Sequence, residues 1–184
     1  MELNGGLITE NDLENYNPVW RKPLISSYRN NQIITMPPPS SGGVHIIQML
    51  NILERYDLND FEHNSTDYIN LLTEVMKHAY ADRSKYLGDS DFYDVPIKKI
   101  TSRKYSNEIY KNINLGSSKS SEDIHPGMYL SNESHETTHF SVADIKGNIV
   151  SSTYTLNSTF GSGVVIKGTG ILMNNEMDDF SAAP

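Results

Sequence analysis

The sequence contains one match to the H-E-x-x-H pattern of zinc metalloproteases, His135-Glu136-Thr137-Thr138-His139. In that pattern a helix places two imidazoles one turn apart, and the glutamate activates a zinc-bound water. Here two β-branched threonines stand at the centre, and the alternation of polar and apolar residues from Phe140 onward is typical of a strand. On a strand the two imidazoles would lie about 13 Å apart. Two ordinary histidines are therefore favoured over a zinc site.

A second cluster concentrates carboxylates and amides in one short run, Asn174-Asn175-Glu176-Met177-Asp178-Asp179. Oxygen groups of this kind can hold Ca²⁺, recognise a substrate ammonium or form a solvated acidic loop. The spacing does not match an EF-hand, which alternates its acidic ligands and ends on a glutamate at the twelfth position. From these residues alone, the solvated loop is favoured.

Apolar periodicity predicts the helices that must support such sites. A helix over 44–56 has apolar residues around most of its circumference, which predicts burial on most sides. Its polar residues form a narrow stripe of His45, Gln48, Asn51 and Arg55. A further helix is predicted to begin near Thr101 or Ser102, where a hydroxyl can cap its first turn.

A longer helix is predicted over 67–86. Its apolar face holds Tyr68, Leu71, Leu72, Val75, Met76 and Ala79. The opposite face holds Asn70, Glu74 and Lys77. Because the apolar arc is narrower than that of the helix over 44–56, this polar face is expected to lie in solvent.

The remainder of the chain changes from polar loop to strand. Residues 114–136 are polar and poor in groups that could pack, which predicts a linker or an exposed loop. Beyond this segment the period becomes two, and Lys146-Gly147-Asn148 supplies a turn before a second strand over 149–156. A β-hairpin is the result. An earlier strand is predicted over 32–36.

Composition excludes several function classes. The chain has 184 residues, a formal net charge of −8 and no cysteine. A negative surface repels phosphate backbones and anionic lipid, so we expect no nucleic-acid partner and no polybasic membrane docking. Disulfides, thiolate nucleophiles and Cys-ligated zinc are impossible. No stretch has the apolar length of a membrane span or the pattern of a signal peptide. Both ends look cut, as expected of an interior slice of a longer chain.

Four segments together resemble one enzyme family. They are Met36-Pro37-Pro38-Pro39-Ser40-Ser41-Gly42-Gly43-Val44-His45, Thr137-Thr138-His139-Phe140-Ser141-Val142, Thr153-Tyr154-Thr155-Leu156-Asn157-Ser158-Thr159-Phe160-Gly161, and Asn174-Asn175-Glu176-Met177-Asp178-Asp179-Phe180-Ser181. In this order they are similar to the γ-glutamyltransferases, or glutathione hydrolases, and the similarity spans nearly the whole chain. The proline-serine-glycine run is assigned a scaffold role.

The resemblance implies an α/β fold, part of the four-layer αββα sandwich of N-terminal-nucleophile hydrolases. It also implies a proenzyme that cuts itself between Glu136 and Thr137. Residues 1–136 would then be the C-terminal part of a large subunit, and 137–184 the N-terminal part of a small subunit. Together they would form one structural domain, truncated at both ends.

The resemblance also implies the site. Thr137 would be the nucleophile, and its freed α-amino group, with a pKa of about 7.7–8.0, would be its base. Thr155 would hydrogen-bond the nucleophile. The substrate's α-amino group would be bound by Asn157, Glu176 and Asp179. No metal and no cofactor are implied.

The implied partners are γ-glutamyl substrates such as glutathione, amino-acid or peptide acceptors, and the paired large and small subunits. The family is commonly exported to the periplasm, secreted or held at the cell surface. The arginine, paired serines and paired glycines that complete the family's site are missing, so this chain alone is expected to be weakly active or inactive. Two alternatives remain: a catalytically inert fragment of the same family, and the disfavoured zinc protease.

Overall fold

A computed structural model describes residues 5–124 and 137–179. These residues form two packing units. We call 21–124 the helical unit, and 5–20 together with 137–179 the hairpin unit. The helices are α1 (Glu10–Asn15), α2 (Gly42–Leu53), α3 (Thr66–Tyr86), α4 (Ile97–Ile100) and α5 (Arg103–Tyr110), with 3₁₀ turns at Leu58–Asp60, Ser121–Asp123 and Glu176–Asp179. The strands are β1 (Leu24–Tyr28), β2 (Asn31–Thr35), β3 (Thr137–Ala143) and β4 (Ile149–Thr155).

The core of the helical unit lies between α2, α3 and α5. One buried cluster holds Ile52, Leu53, Leu71, Val75 and Ile109, and a second holds Val44, Leu87, Val95 and Ile100. β1 and β2 form a separate antiparallel pair, which confirms the strand predicted over 32–36 and shifts it by one residue. The helix predicted near Ser102 is confirmed as α5, because the Ser102 hydroxyl accepts from the Tyr105 backbone N–H at 3.2 Å.

Three residues of the predicted polar stripe, His45, Gln48 and Asn51, are buried in α2. The helix ends at Leu53, three residues before the predicted end, and Arg55 is exposed beyond it. Gln48 donates to the Asp82 carboxylate on α3, and the Asn51 amide donates to the Thr101 carbonyl at 2.9 Å. Tyr105 on α5 donates its hydroxyl to the other Asp82 oxygen at 2.8 Å. Burial raises the pKa of the Asp82 carboxyl, and this effect exceeds the opposite effect of the hydrogen bonds from Tyr105 and Gln48. The predicted burial of this helix is confirmed, and its polar residues join three helices in the interior.

The expectation that Glu74 faces solvent is wrong. The helix itself is confirmed, since α3 begins one residue before the predicted start and ends where predicted. Glu74, however, is 0% exposed, whereas Met76 on the predicted inner face is 44% exposed. Its Oε1 accepts from Lys77 Nζ at 2.8 Å, from the Ser118 hydroxyl at 2.9 Å and from the Lys119 backbone N–H at 3.2 Å, and these three donors offset the cost of burying the carboxylate.

Gly43 gives the proline-serine-glycine run a packing role. A Cβ at this position would overlap the Met36 carbonyl oxygen, so only glycine lets the first turn of α2 approach the chain that leaves β2. This contact supports the scaffold role assigned to the run.

The hairpin unit is built on the antiparallel pair β3–β4, which confirms the predicted hairpin. Its turn is held by Asp144, whose Oδ1 accepts from the backbone N–H groups of Lys146 at 2.8 Å and Asn148 at 2.9 Å. The hydrogen bond from the Asn148 side chain has the largest effect on the pKa of the Asp144 carboxyl, and together with the backbone bonds it lowers that pKa. In the two described ranges, no helix has the length and apolar character needed to cross a bilayer.

Candidate active site

The hairpin brings two of the predicted site residues together. Thr137 is the first residue of β3, Thr155 is the last residue of β4, and the register pairs them directly. Directly paired residues of antiparallel strands have Cα atoms about 4.5–5.5 Å apart. Glu136, on the other side of the predicted cleavage bond, lies outside the described residues.

Asn157 follows β4 in a conformation that few side chains tolerate. Its φ of 71° is left-handed, a region that asparagine enters more readily than most non-glycine residues. The residue is only 6% exposed. Its backbone N–H donates to Thr155 Oγ1 at 2.9 Å, and its Nδ2 donates to the Asn175 carbonyl at 3.2 Å. Asn157 thus fixes the end of β4 and connects it to the chain near residue 175.

Asn175 and Ser158 complete this connection. We call the contacts among Asn157, Ser158 and Asn175 the amide clip. The Asn175 side chain accepts from the Ser158 N–H at 3.2 Å and donates to the Ser158 hydroxyl at 3.1 Å. The Asn175 N–H also donates to the Leu156 carbonyl at 3.1 Å. The clip therefore brings the segment after Thr155 next to the segment that carries Glu176.

Glu176 begins a 3₁₀ turn that ends at Asp179. Its backbone N–H donates to the Asn174 side-chain oxygen at 3.0 Å. The side chain is half-buried, and its Oε1 is buried with no hydrogen-bond partner in the described structure. A buried acceptor without a donor is costly, about 1–3 kcal/mol. This oxygen therefore suits a ligand that brings a donor, whereas Asp178 and Asp179 are exposed.

His139 does not fit the zinc-protease pattern. It lies in β3, so this part of the motif is a strand and not the helix that the pattern requires. Its two ring nitrogens lie 2.8 Å from Thr153 Oγ1 and 2.9 Å from Ser151 Oγ. His135 and Glu136 fall outside the described residues. Within the described ranges no group of three or more His, Asp or Glu is placed to hold a metal ion.

Sequence reasoning missed the amide clip and one glycine beside it. Gly161 has a φ of 51°, and a Cβ there would overlap the Met173 carbonyl oxygen. The same carbonyl accepts from the Ser162 N–H at 2.9 Å. The glycine-rich, amide-rich composition of 157–175 was the available signal, but it does not reveal which residues pair.

Comparison with known proteins agrees with the motifs. The sequence model of the gamma-glutamyltranspeptidase family matches residues 1–184. A glutathione hydrolase proenzyme of Escherichia coli is 50% identical over 184 residues, which are 100% of this chain and 32% of that protein. The chain therefore spans about a third of the length of this curated relative.

Two solved structures share the fold. The gamma-glutamyltranspeptidase of Helicobacter pylori has a TM-score of 0.65 and 44% identity, covering 73% of this chain and 39% of the other. A cephalosporin acylase of Bacillus halodurans has a TM-score of 0.76 and 30% identity, covering 100% of this chain and 32% of the other. These neighbours confirm the expected mixed α/β fold of N-terminal-nucleophile hydrolases, present in part. Since the family model matches every residue, the chain belongs to the gamma-glutamyltranspeptidase family of enzymes.

Proposed function

We propose that Thr137 is the nucleophile of γ-glutamyl transfer and hydrolysis, and that self-cleavage between Glu136 and Thr137 exposes it. The observation that carries this proposal is the direct pairing of Thr137 with Thr155. The pairing places a hydroxyl-bearing residue, itself fixed by the Asn157 N–H, beside the residue that starts the strand.

Self-cleavage proceeds by acyl transfer from nitrogen to oxygen. Thr137 Oγ1 attacks the carbonyl carbon of Glu136, its C–N bond breaks, and the amine takes up the proton lost by the hydroxyl. An ester then joins Glu136 to Thr137. Water hydrolyses the ester, leaving a carboxylate on Glu136 and a free α-amino group on Thr137.

In turnover the new α-amino group serves as the base. Near neutral pH a substantial fraction is unprotonated, because the usual pKa of such a group is about 7.7–8.0. It accepts the hydroxyl proton as Oγ1 attacks the γ-carbonyl of a γ-glutamyl amide such as glutathione. The proton passes to the leaving amine, and the acyl-enzyme is resolved by water or by the amine of an amino acid or peptide.

Asn157, Glu176 and Asp179 are proposed to bind the substrate's α-ammonium. The unpartnered, buried Oε1 of Glu176 supports this role, because an ammonium would supply the missing donor. The amide clip supports it as well, since it brings Asn157 and the Glu176 turn together. Thr155 is proposed to hydrogen-bond the nucleophile.

We further propose that 1–136 and 137–184 belong to a paired large and small subunit of a longer enzyme. The location proposed for that enzyme is the periplasm, the cell surface or the medium. The chain spans about a third of the length of its curated relatives. These statements about the whole enzyme are therefore carried over from the family.

A covalent label tests the nucleophile even where turnover is weak. The probe is a glutamine analogue in which a diazoketone replaces the side-chain amide, and the product is located by peptide mass spectrometry. The proposal expects an adduct on Thr137, retained in Thr137→Ser and lost in Thr137→Ala. An adduct of equal yield in Thr137→Ala contradicts it.

The ammonium site needs a separate comparison. Glutaryl-p-nitroanilide lacks only the α-amino group of γ-glutamyl-p-nitroanilide, so it should compete poorly for labelling. Equal competition by both compounds would remove the role proposed for Glu176 and favour an acylase that does not require an α-amino group; the Bacillus halodurans neighbour is named a cephalosporin acylase.

A further inference from the structure

A histidine in β3 contacts two residues of β4 close to the proposed nucleophile. His139 lies directly opposite Thr153 in the β3–β4 ladder. Its Nδ1 is 2.8 Å from Thr153 Oγ1, and its Nε2 is 2.9 Å from the hydroxyl oxygen of Ser151, which is two residues before Thr153. One imidazole therefore joins β3 to two positions of its partner strand. We call His139, Thr153 and Ser151 the imidazole bridge.

The chemistry of these three side chains allows both contacts at once. A neutral imidazole donates from one ring nitrogen and accepts at the other, and a hydroxyl can do either. Whichever nitrogen of His139 carries the proton, the hydroxyls of Thr153 and Ser151 can therefore turn to match it. The bridge needs no particular tautomer to form.

The bridge is the next step of the ladder on from the pair that carries the proposed function. Residues two apart on a strand belong to the same face of the sheet. The register contains three successive pairs at this spacing, Thr137–Thr155, His139–Thr153 and Ser141–Ser151. The imidazole bridge therefore restrains the ladder immediately behind the Thr137–Thr155 pair.

The start of β3 is the part of the hairpin that most needs such a restraint. After the proposed cleavage, Thr137 would be the first residue of its chain. Chain ends are poorly ordered unless further contacts hold them, and strand pairing opens from its ends. Thr137 can stay opposite Thr155 only while the residues behind it remain paired. The imidazole bridge adds two side-chain contacts at the second residue after Thr137.

We propose that His139 is a positioning residue for the nucleophile, because its imidazole joins the start of β3 to β4 and so keeps Thr137 paired with Thr155. This inference rests on the proposed role of Thr137. His139 acts through the strand and exchanges no proton with the reacting atoms. The histidine that the zinc-protease pattern singles out thus gains a role that needs no metal.

The test measures how fast the diazoketone probe labels Thr137 in variants of the chain, relative to the amount of cleaved chain. His139→Leu removes both contacts and should slow labelling about tenfold, as for the loss of two neutral hydrogen bonds. His139→Gln carries an amide that both donates and accepts, so it should recover most of the rate. Hydrogen exchange of the peptide over 137–143, followed by mass spectrometry, should be faster in His139→Leu and recover in His139→Gln.

Two further substitutions separate the bridge from general destabilisation of the hairpin. Thr153→Val removes the partner of Nδ1, and it should have no further effect on labelling once His139→Leu is present. Ser141→Ala is the matched control, because it also removes a cross-strand contact, the 3.1 Å approach of the Ser141 and Ser151 hydroxyls, but further from Thr137. It should leave the labelling rate unchanged.

The outcomes separate this inference from the proposed function. Equal labelling rates in His139→Leu and in the unsubstituted chain overturn the positioning role and leave Thr137 as the nucleophile. Slower labelling that His139→Gln does not restore, or full additivity of His139→Leu and Thr153→Val, also overturns it, because the bridging contacts are then not the cause. If the unsubstituted chain is not labelled at Thr137, the proposed nucleophile fails and the positioning role fails with it.

Discussion

Thr155 lies directly opposite Thr137 in the β3–β4 ladder, and its hydroxyl accepts the backbone N–H of Asn157 at 2.9 Å. Thr155, the last residue of β4, is thereby held by the loop that follows it as well as by its pairing with β3. This double restraint fits the role proposed for Thr155, because a residue that hydrogen-bonds a nucleophile must keep its geometry while the reaction proceeds.

Thr155→Val should slow labelling of Thr137 by the diazoketone probe about tenfold. Valine keeps the branched shape but removes the hydroxyl, and the loss of one hydrogen bond to the nucleophile costs about 1 kcal/mol. Thr155→Ser, which keeps the hydroxyl, is the control and should retain most of the rate. The measurement is the pseudo-first-order rate of adduct formation. Equal rates for Val and Ser would show that the hydroxyl has no part in the chemistry.

Asn157→Ala should destabilise the chain more than Asn157→Gly does. Both variants lose the bond to the Asn175 carbonyl, but alanine must also adopt the φ of 71°, which costs about 1–2 kcal/mol for an L-residue. Urea unfolding measures the difference. The same pair of substitutions at Asn64, whose φ is 58°, provides a matched comparison outside the site. If alanine and glycine are equivalent at 157, the left-handed conformation is absent in solution.

Gly161→Ala should disrupt the amide clip, because its Cβ would overlap the Met173 carbonyl oxygen two residues before Asn175. Gly163→Ala is the matched control, since Gly163 also has a positive φ, 72°, but has no atom within 4 Å of the added Cβ. The control should cost about 1 kcal/mol from backbone strain, and Gly161→Ala at least twice that. Urea unfolding measures the loss, and probe labelling shows whether the site is lost with it. Equal losses at both positions would mean that the close approach at Gly161 does not exist.

Acid should weaken the contacts of Glu74 with Lys77, Ser118 and Lys119 at a lower pH than an ordinary glutamate would allow. Burial alone would raise the pKa of the Glu74 carboxyl, but hydrogen bonds from Lys77 and Ser118 outweigh it and hold the pKa below its usual 4.5. A carboxyl whose pKa is lower in the folded state contributes stability fully above the unfolded pKa. That stability is lost as pH falls through the folded pKa.

The free energy of unfolding, measured against pH in the chain and in Glu74→Gln, should therefore differ most above the usual pKa of a glutamate. The two curves should converge as the solution becomes more acidic. A constant difference over the whole acid range would show that Glu74 titrates identically in the folded and unfolded states.

Local periodicity was sufficient for much of the fold. The bounds of α3 and the two strands of the hairpin depend on repeats within the element itself, so they can be predicted from the sequence. The burial of Glu74 depends on Ser118 and Lys119, which are 44 and 45 residues further along the chain. No helical pattern contains that information.

The candidate site, too, can be predicted from the sequence only in part. Asn157, Glu176 and Thr155 are predicted as site residues from long motif resemblances, and the hairpin register pairs Thr155 with Thr137. The pairing of Asn175 with Ser158 joins residues 17 apart through two side-chain hydrogen bonds. In a segment rich in asparagine, serine and glycine many such pairs are chemically possible, and only the folded backbone selects one.

The most direct test of the central claim is the intact mass of the purified chain after incubation at neutral pH, combined with N-terminal sequencing of its products. Self-cleavage by Thr137 predicts two products, one ending at Glu136 and one beginning at Thr137, and a single uncut chain for Thr137→Ala. A single uncut mass for the unsubstituted chain, or a cut at another bond, would contradict it.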